Sequence, residues 1–271
     1  GTELSVERFD FHEGYELLVE RRGANLELGV KTPPLGVACN LGFRKSPRLV
    51  LGIPRGVTLA LASSSGDMRL AGHEAARIGI AASSGDIEIS DCVGPLSVET
   101  SSGDIGLRRI RGDIETESSS GDVEIEAARG SKKIGTTSGS VSVADSAGDA
   151  EITANSGDLR LTGIEGRLKL RTSSGTVTLE RIIGAIAAET SSGEIEGEAI
   201  KLTGDSSFST SSGDVSLRFE NRRGELRYEL EASAGELEAE GSRGERRLRV
   251  GSGKILVTGR SSSGSQRYAA N

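Results

Sequence analysis

The chain has 271 residues with 3% aromatics, no Trp, 38 Gly and 27% charged residues, too few large side chains for an ordinary globular core and better suited to many thin aliphatic layers. Its 33 basic and 40 acidic residues give a net charge of −7 with no basic cluster, which argues against a nucleic-acid partner, and no apolar run nears the roughly 18 residues of a membrane span. Cys39 and Cys92 lie at no metal-ligand spacing; they read as two unrelated free thiols, with a single disulfide left open.

At the N-terminal end, GTELSVERFDF has neither the basic stretch nor the apolar core of a secretory leader. FHEGYELLVERRGANLELGV alternates like strands and KTPPLGVACNLGFRKSP reads as a loop. Residues 1–62 are expected to form irregular first coils and an N-terminal cap, because an uncapped stack leaves backbone groups unpaired.

From residue 63 to 258 the chain repeats a corner of the form S-G-D. The corner glycines are Gly66, Gly85, Gly103, Gly121, Gly139, Gly157, Gly175, Gly193, Gly213, Gly235 and Gly253, and the numbering advances between them by 19, 18, 18, 18, 18, 18, 18, 20, 22 and 18. A fixed period of this kind marks a solenoid whose layers cannot stand alone. Two and four places past the corner come apolar residues, as in Ile87 and Ile89, Ile105 and Leu107, Leu159 and Leu161. A second alternation stands seven and five places before the next corner, as in Leu96 and Val98 or Leu168 and Leu170. Each layer therefore carries two short strands with one buried face. Gly94, Gly112, Gly130, Gly148, Gly166 and Gly184 mark a second corner halfway round.

Strands that recur at this period with no helix between them pair in parallel with their own copies in the next layer. The predicted fold is all-β: a single-domain parallel β-helix, or β-solenoid, with a right-handed coil of about 18 residues. Outward columns support that register, since Glu115, Lys133, Glu151 and Lys169 alternate in sign down the stack. The same step near the end pairs Arg227, Glu229 and Glu231 with Glu245, Arg247 and Arg249. Residues 259–271 read as a flexible tail, which leaves an open solenoid end as a contact surface.

The column after the corner glycine, Asp67, Asp86, Asp104, Asp122, Ser140, Asp158, Thr176, Glu194, Asp214, Glu236 and Lys254, could collect calcium. Ser140 and Thr176 keep only a capping oxygen and Lys254 has none, so turn capping is the preferred role and no metal site is assigned. The serines before the glycines could be nucleophiles, but the chain has only His12 and His73 to act as bases. His73 is expected in an exposed turn. A carbohydrate-active β-helix enzyme is the alternative function, with Asp205 and Glu220 near the two small insertions as its only candidates; a calcium-dependent binding roll is a further one. No catalytic residue and no cofactor is assigned.

With LVLGIPRGVTLALASSSGDMRL followed by SSGDIEI, SSGDIGL and SSGDVEI, the sequence resembles a bacterial family described as adhesins, a domain of unknown function with S-G-D β-strand repeats. The similarity spans about residues 47–258, with Pro54, Arg55 and Gly56 matching the family's Pro-x-Gly turn. The resemblance implies a β-helix without established catalytic residues, often secreted or membrane-tethered. The expected function is a non-catalytic surface or scaffold protein that binds an unidentified macromolecule or its own copies, with an extracytoplasmic or cell-surface location favoured over a cytoplasmic one.

Overall fold

A computed structural model describes residues 4–10, 16–22, 25–31 and 48–271. Cys39 and His12 lie outside them. The chain divides into two units, residues 1–55 and 56–271, so the boundary falls between Arg55 and Gly56 rather than at 62. In the first unit the described strands are not coils: Ser5–Asp10 pairs antiparallel with Arg48–Gly52, and Glu16–Arg22 with Asn25–Lys31.

The second unit is the solenoid. Two sheets of twelve strands run along it, and through its regular part every strand is parallel to its own copy one period further along the chain. Ile105 lies between Ile87 and Val123, and Ile114 between Leu96 and Lys132. Alternate residues point inward, so Ile87, Leu107, Ile125, Val143, Leu161 and Leu170 are at most 1% exposed. Each such side chain contributes about 1.5–3 kcal/mol by leaving water. Because each meets its own counterpart in the layers above and below, small aliphatic residues suffice to fill the interior.

A third bend appears six places after the corner glycine, where the sequence shows no common residue type. Asp91, Arg109, Ala127, Asp145, Gly163, Arg181 and Ala199 stack in one column, all left-handed with φ between 47° and 65°. Asp91 and Arg109 hold each other there through two bonds of 2.6 and 2.7 Å. The bend turns the first strand toward a short third side, where Val93, Arg111, Arg129 and Ala147 bridge in sequence.

The order of layers changes after residue 219. Ile255–Ser263 lies between Ser206–Ser212 and Leu226–Ala234, parallel to both, and Gln266–Ala270 lies between Val215–Phe219 and Leu237–Ala239. Residues 259–271 are therefore not a tail: Val257, Tyr268 and Ala270 are buried as part of an inserted coil. The partners foreseen for Glu229 and its neighbours change too. Leu226–Ala234 meets Arg247–Gly251 antiparallel, so Glu229 faces Arg249 and Glu231 faces Arg247, the latter as an ion pair of 3.2 Å. A hairpin whose turn residues Glu240 and Gly241 are both left-handed reverses the chain here, as a tight two-residue turn requires.

Inserting a coil brings the aromatic residues together. Every aromatic residue after Phe43 is in this part of the chain: Tyr268 has ring centroids 6.2 Å from Phe208, 6.3 Å from Phe219 and 6.0 Å from Tyr228. Gly259 makes the room, since a Cβ there would stand 2.4 Å from the Tyr268 hydroxyl.

Candidate functional site

The repeated corners are the most chemically uniform feature of the solenoid. Gly66, Gly85, Gly103, Gly121, Gly139, Gly157, Gly175, Gly193, Gly213 and Gly235 all have φ between 104° and 153°. From Gly85 onward a Cβ would also lie 2.0–2.4 Å from a carbonyl oxygen of the adjoining layer. Gly253 is the exception: it is not left-handed, and Gly264, at φ 134° against the Gly213 carbonyl, is the corner of the inserted coil.

Each corner aspartate reaches the following layer. The Oδ1 atoms of Asp67, Asp86, Asp104 and Asp122 accept the backbone N–H of Asp86, Asp104, Asp122 and Ser140 at 2.8–3.2 Å. Asp158 does the same for Thr176, and Asp214 for Ser265, far along the chain in the inserted coil. The halfway corner repeats the device, with Asp113 accepting from Ser131 and Asp149 from Arg167, both at 2.9 Å. The Ser131 side chain, and after it the Ser131 N–H, holds the Asp113 carboxyl below its ordinary range. These carboxylates act as caps that tie one layer to the next. Among the described residues no group of three or more His, Cys, Asp or Glu is placed to hold a metal ion.

Hydroxyls line the approach to the first corner. Thr100, Thr172 and Ser261 donate to nearby corner carbonyls, whereas the buried hydroxyls of Thr116, Ser118, Thr136 and Thr190 have no such partner. An open groove of about 730 Å³ crosses this face, lined by residues including Ser83, Thr100, Ser101, Ser119, Thr136 and Thr137. It contains no imidazole. His73, foreseen as exposed, is 3% exposed and its Nε2 donates to the Val57 carbonyl at 2.9 Å. Cys92 is a buried free thiol, and burial pushes its pKa up.

Asp205 and Glu220, the enzyme candidates, do not stand out as a reactive pair. The Asp205 carboxylate caps the N–H of Leu256 at 2.9 Å, as the other corner aspartates do, and Glu220 is exposed.

Two buried ionisable groups lie outside the sequence-predicted site residues. Lys132 occupies an inward position between Ile114 and Ala150 and is 2% exposed. Its Nζ donates to the carbonyls of Gly130 and Ala147 at 2.8 and 2.9 Å. Burial lowers its pKa to about 8 against the opposing pull of Asp149 and Asp113. Its sequence signal is a lysine in a column that from residue 78 to 186 otherwise holds Ile78, Leu96, Ile114, Ala150, Leu168 and Ile186. At the aromatic end the Tyr228 hydroxyl donates to Glu240 Oε1 at 2.9 Å, and Arg223 Nε lies 2.9 Å from Glu240 Oε2. Burial, then Glu240, pushes the Tyr228 hydroxyl upward.

Among the described residues no helix is long and apolar enough to cross a membrane. No curated protein and no solved structure matches the chain significantly. The model of one family does match, twice and with overlap, over residues 55–145 and 111–271, as a repeat that fits the same pattern in more than one register would. Together the two matches take in the whole of the solenoid unit, residues 56–271, and the chain belongs to the Toastrack DUF4097 family.

Proposed function

We propose that the protein is a non-catalytic scaffold, set outside the cytoplasm or at the cell surface, whose solenoid binds other macromolecules or further copies of itself, as an adhesin would. The observation that carries this is the engagement of the corner aspartates: Asp67, Asp86, Asp104, Asp122, Asp158 and Asp214 accept N–H groups of the following layer, which leaves them as structural caps rather than as paired acid and base. Two carboxyls on either side of a sugar bond, about 5–9.5 Å apart, are what glycoside hydrolysis needs. Asp205 is committed to Leu256.

The test is a panel of plant and bacterial polysaccharides incubated with the full chain and assayed for new reducing ends, alongside binding of the same polymers and sedimentation of the protein alone. No release of reducing ends, together with polymer binding or concentration-dependent assembly, is the expected result. Release that disappears in Asp205→Asn would replace the scaffold by the enzyme.

A further inference from the structure

We infer that the interval between the coil 206–219 and the coil 226–239 is a strand-accepting slot, filled by residues 255–270 of the same chain and open equally to residues 255–270 of a second copy. From residue 59 to 219 each coil lays its strands on those made just before it. The coil 226–239 does not: neither of its strands pairs with Ser206–Ser212 or Val215–Phe219. It stands two strand spacings away, roughly 10 Å. The chain next adds Ser242–Gly244 and Arg247–Gly251, antiparallel to it. Only then does Ile255–Ser263 enter the interval.

Until it enters, both sheets are interrupted and four strand edges have unpaired backbone groups, the condition under which edges recruit other strands. The ladder that closes the gap is main chain on both sides, from Ser206 with Val257 to Phe219 with Ala270 and from Leu226 with Ile255 to Ala239 with Tyr268. It makes no distinction between one copy and another. Selectivity comes from side chains. The Tyr268 ring fills the space among Phe208, Phe219 and Tyr228, and its hydroxyl donates to Gln266 Oε1 at 3.1 Å. Gln266 Nε2 in turn donates to the Glu231 carbonyl at 2.8 Å. Those features belong to this segment, so the partner that fits the slot is another molecule of this protein.

The connection 252–254 sets the balance between the two arrangements. A Cβ at Gly253 would stand 2.1 Å from the carbonyl carbon of Glu225 and 2.2 Å from the nitrogen of Leu226. These atoms belong to one peptide, Glu225–Leu226, and backbone cannot yield cheaply, so the closed arrangement admits only glycine there. Exchange with a second copy extends the connection and lifts that restriction, the usual route by which a cramped hinge favours swapping.

The proposal rests on the self-associating form of the scaffold function, and the test separates the two. Full chains with Cys39→Ala and Cys92→Ala carry either Ser212→Cys or Ser263→Cys, positions that are paired across the ladder. After refolding together, a disulfide-linked dimer is expected on a non-reducing gel, enriched when both chains also carry Gly253→Val. A control pairing Ser263→Cys with Ser102→Cys should stay unlinked. The chain with both cysteines should close its bond within one copy. Failure of co-refolded chains to link, while that double-cysteine chain closes, overturns the slot. If Gly253→Val does not fold, the pair with the native hinge decides alone. Sedimentation as a dimer without the 212–263 link would keep self-association through another surface and still overturn this proposal.

Discussion

Between residues 78 and 202 the next turn of chain is the next layer of the stack, and thin aliphatic side chains fill it. Between 206 and 271 the two orders part, and the interior changes with them: four aromatic rings, a buried glutamine and a tyrosine–glutamate bond occupy the core. The difference has a physical cause. A layer that follows its neighbour in the chain is held by local contacts, whereas the inserted coil must close the long loop from Ser206 to Val257 and the shorter one from Leu226 to Ile255, and longer loops carry a larger entropic penalty. Large rings and specific hydrogen bonds supply the additional stabilisation at that place.

The largest effect should come from Tyr268→Ala, which empties the aromatic interior and leaves Gln266 Oε1 without its donor. A loss of about 3–5 kcal/mol is expected. In hydrogen exchange the loss of protection should be confined to residues 206–271, and equal loss in residues 87–170 would erase the contrast between the regions. Next comes Gly148→Val, which forces a left-handed β-branched residue at φ 107° with its Cβ 2.3 Å from the Gly130 oxygen. Denaturation should register a loss of about 3 kcal/mol. Gly66→Val keeps the unfavourable φ of 104° but meets nothing within 4 Å among the described residues. It should cost about half as much by the same measure; equal losses would mean that contact between layers is not what the corners require.

Lys132→Met probes the regular region from inside. Burial disfavours the charged amine, so the folded pKa of about 8 lies below the ordinary 10.5. Between those values the unfolded chain binds the proton and the folded chain does not, so stability due to this group rises with pH from about 8 to 10.5 and is least below 8. Methionine should raise stability at pH 7 by about 1–3 kcal/mol and remove that rise from the difference between variant and parent. A rise that persists unchanged in the variant would assign it to other groups. The smallest effect belongs to the third bend: Ala127→Gly should stabilise by about 0.5–1 kcal/mol, because glycine accepts φ 56° without strain. A fall in the denaturation midpoint would show that the bend gains more from its Cβ than it loses.

The parts of this fold legible in the sequence are those where a position tolerates few residue types. The corner glycines from Gly66 to Gly235 must be left-handed, and from Gly85 onward each lies hard against a carbonyl of the adjoining layer; the residues after them must mostly accept a hydrogen bond. Both columns therefore repeat visibly. The bend at Asp91, Arg109, Ala127 and Arg181 is just as regular in space but accepts charge of either sign or none, so no column of letters betrays it. The inserted coil was hidden by imitation: Gly253 follows Gly235 at the expected period, while the true corner, Gly264 in SSSGSQRY, comes late. Its clue was the match between SSSG at 63–66 and SSSG at 261–264. Among the candidate site residues, the capping role of the aspartates could be read from Ser140 and Thr176, and the burial of Lys132 from its apolar column, but the burial of His73 depends on neighbours that are distant in the chain.

The corner carboxylates also give the stack a direction. Asp86 takes the N–H of Asp104, and Asp104 that of Asp122, never the reverse, so wherever an aspartate stands at the corner its layer hands an acceptor forward. A copied layer of one full period spliced into the regular part would arrive with both halves of that exchange already matched. The natural unit of growth or shortening in this molecule is therefore a whole turn, and lengths can drift in evolution by that quantum while a half-turn would set the two kinds of corner against each other.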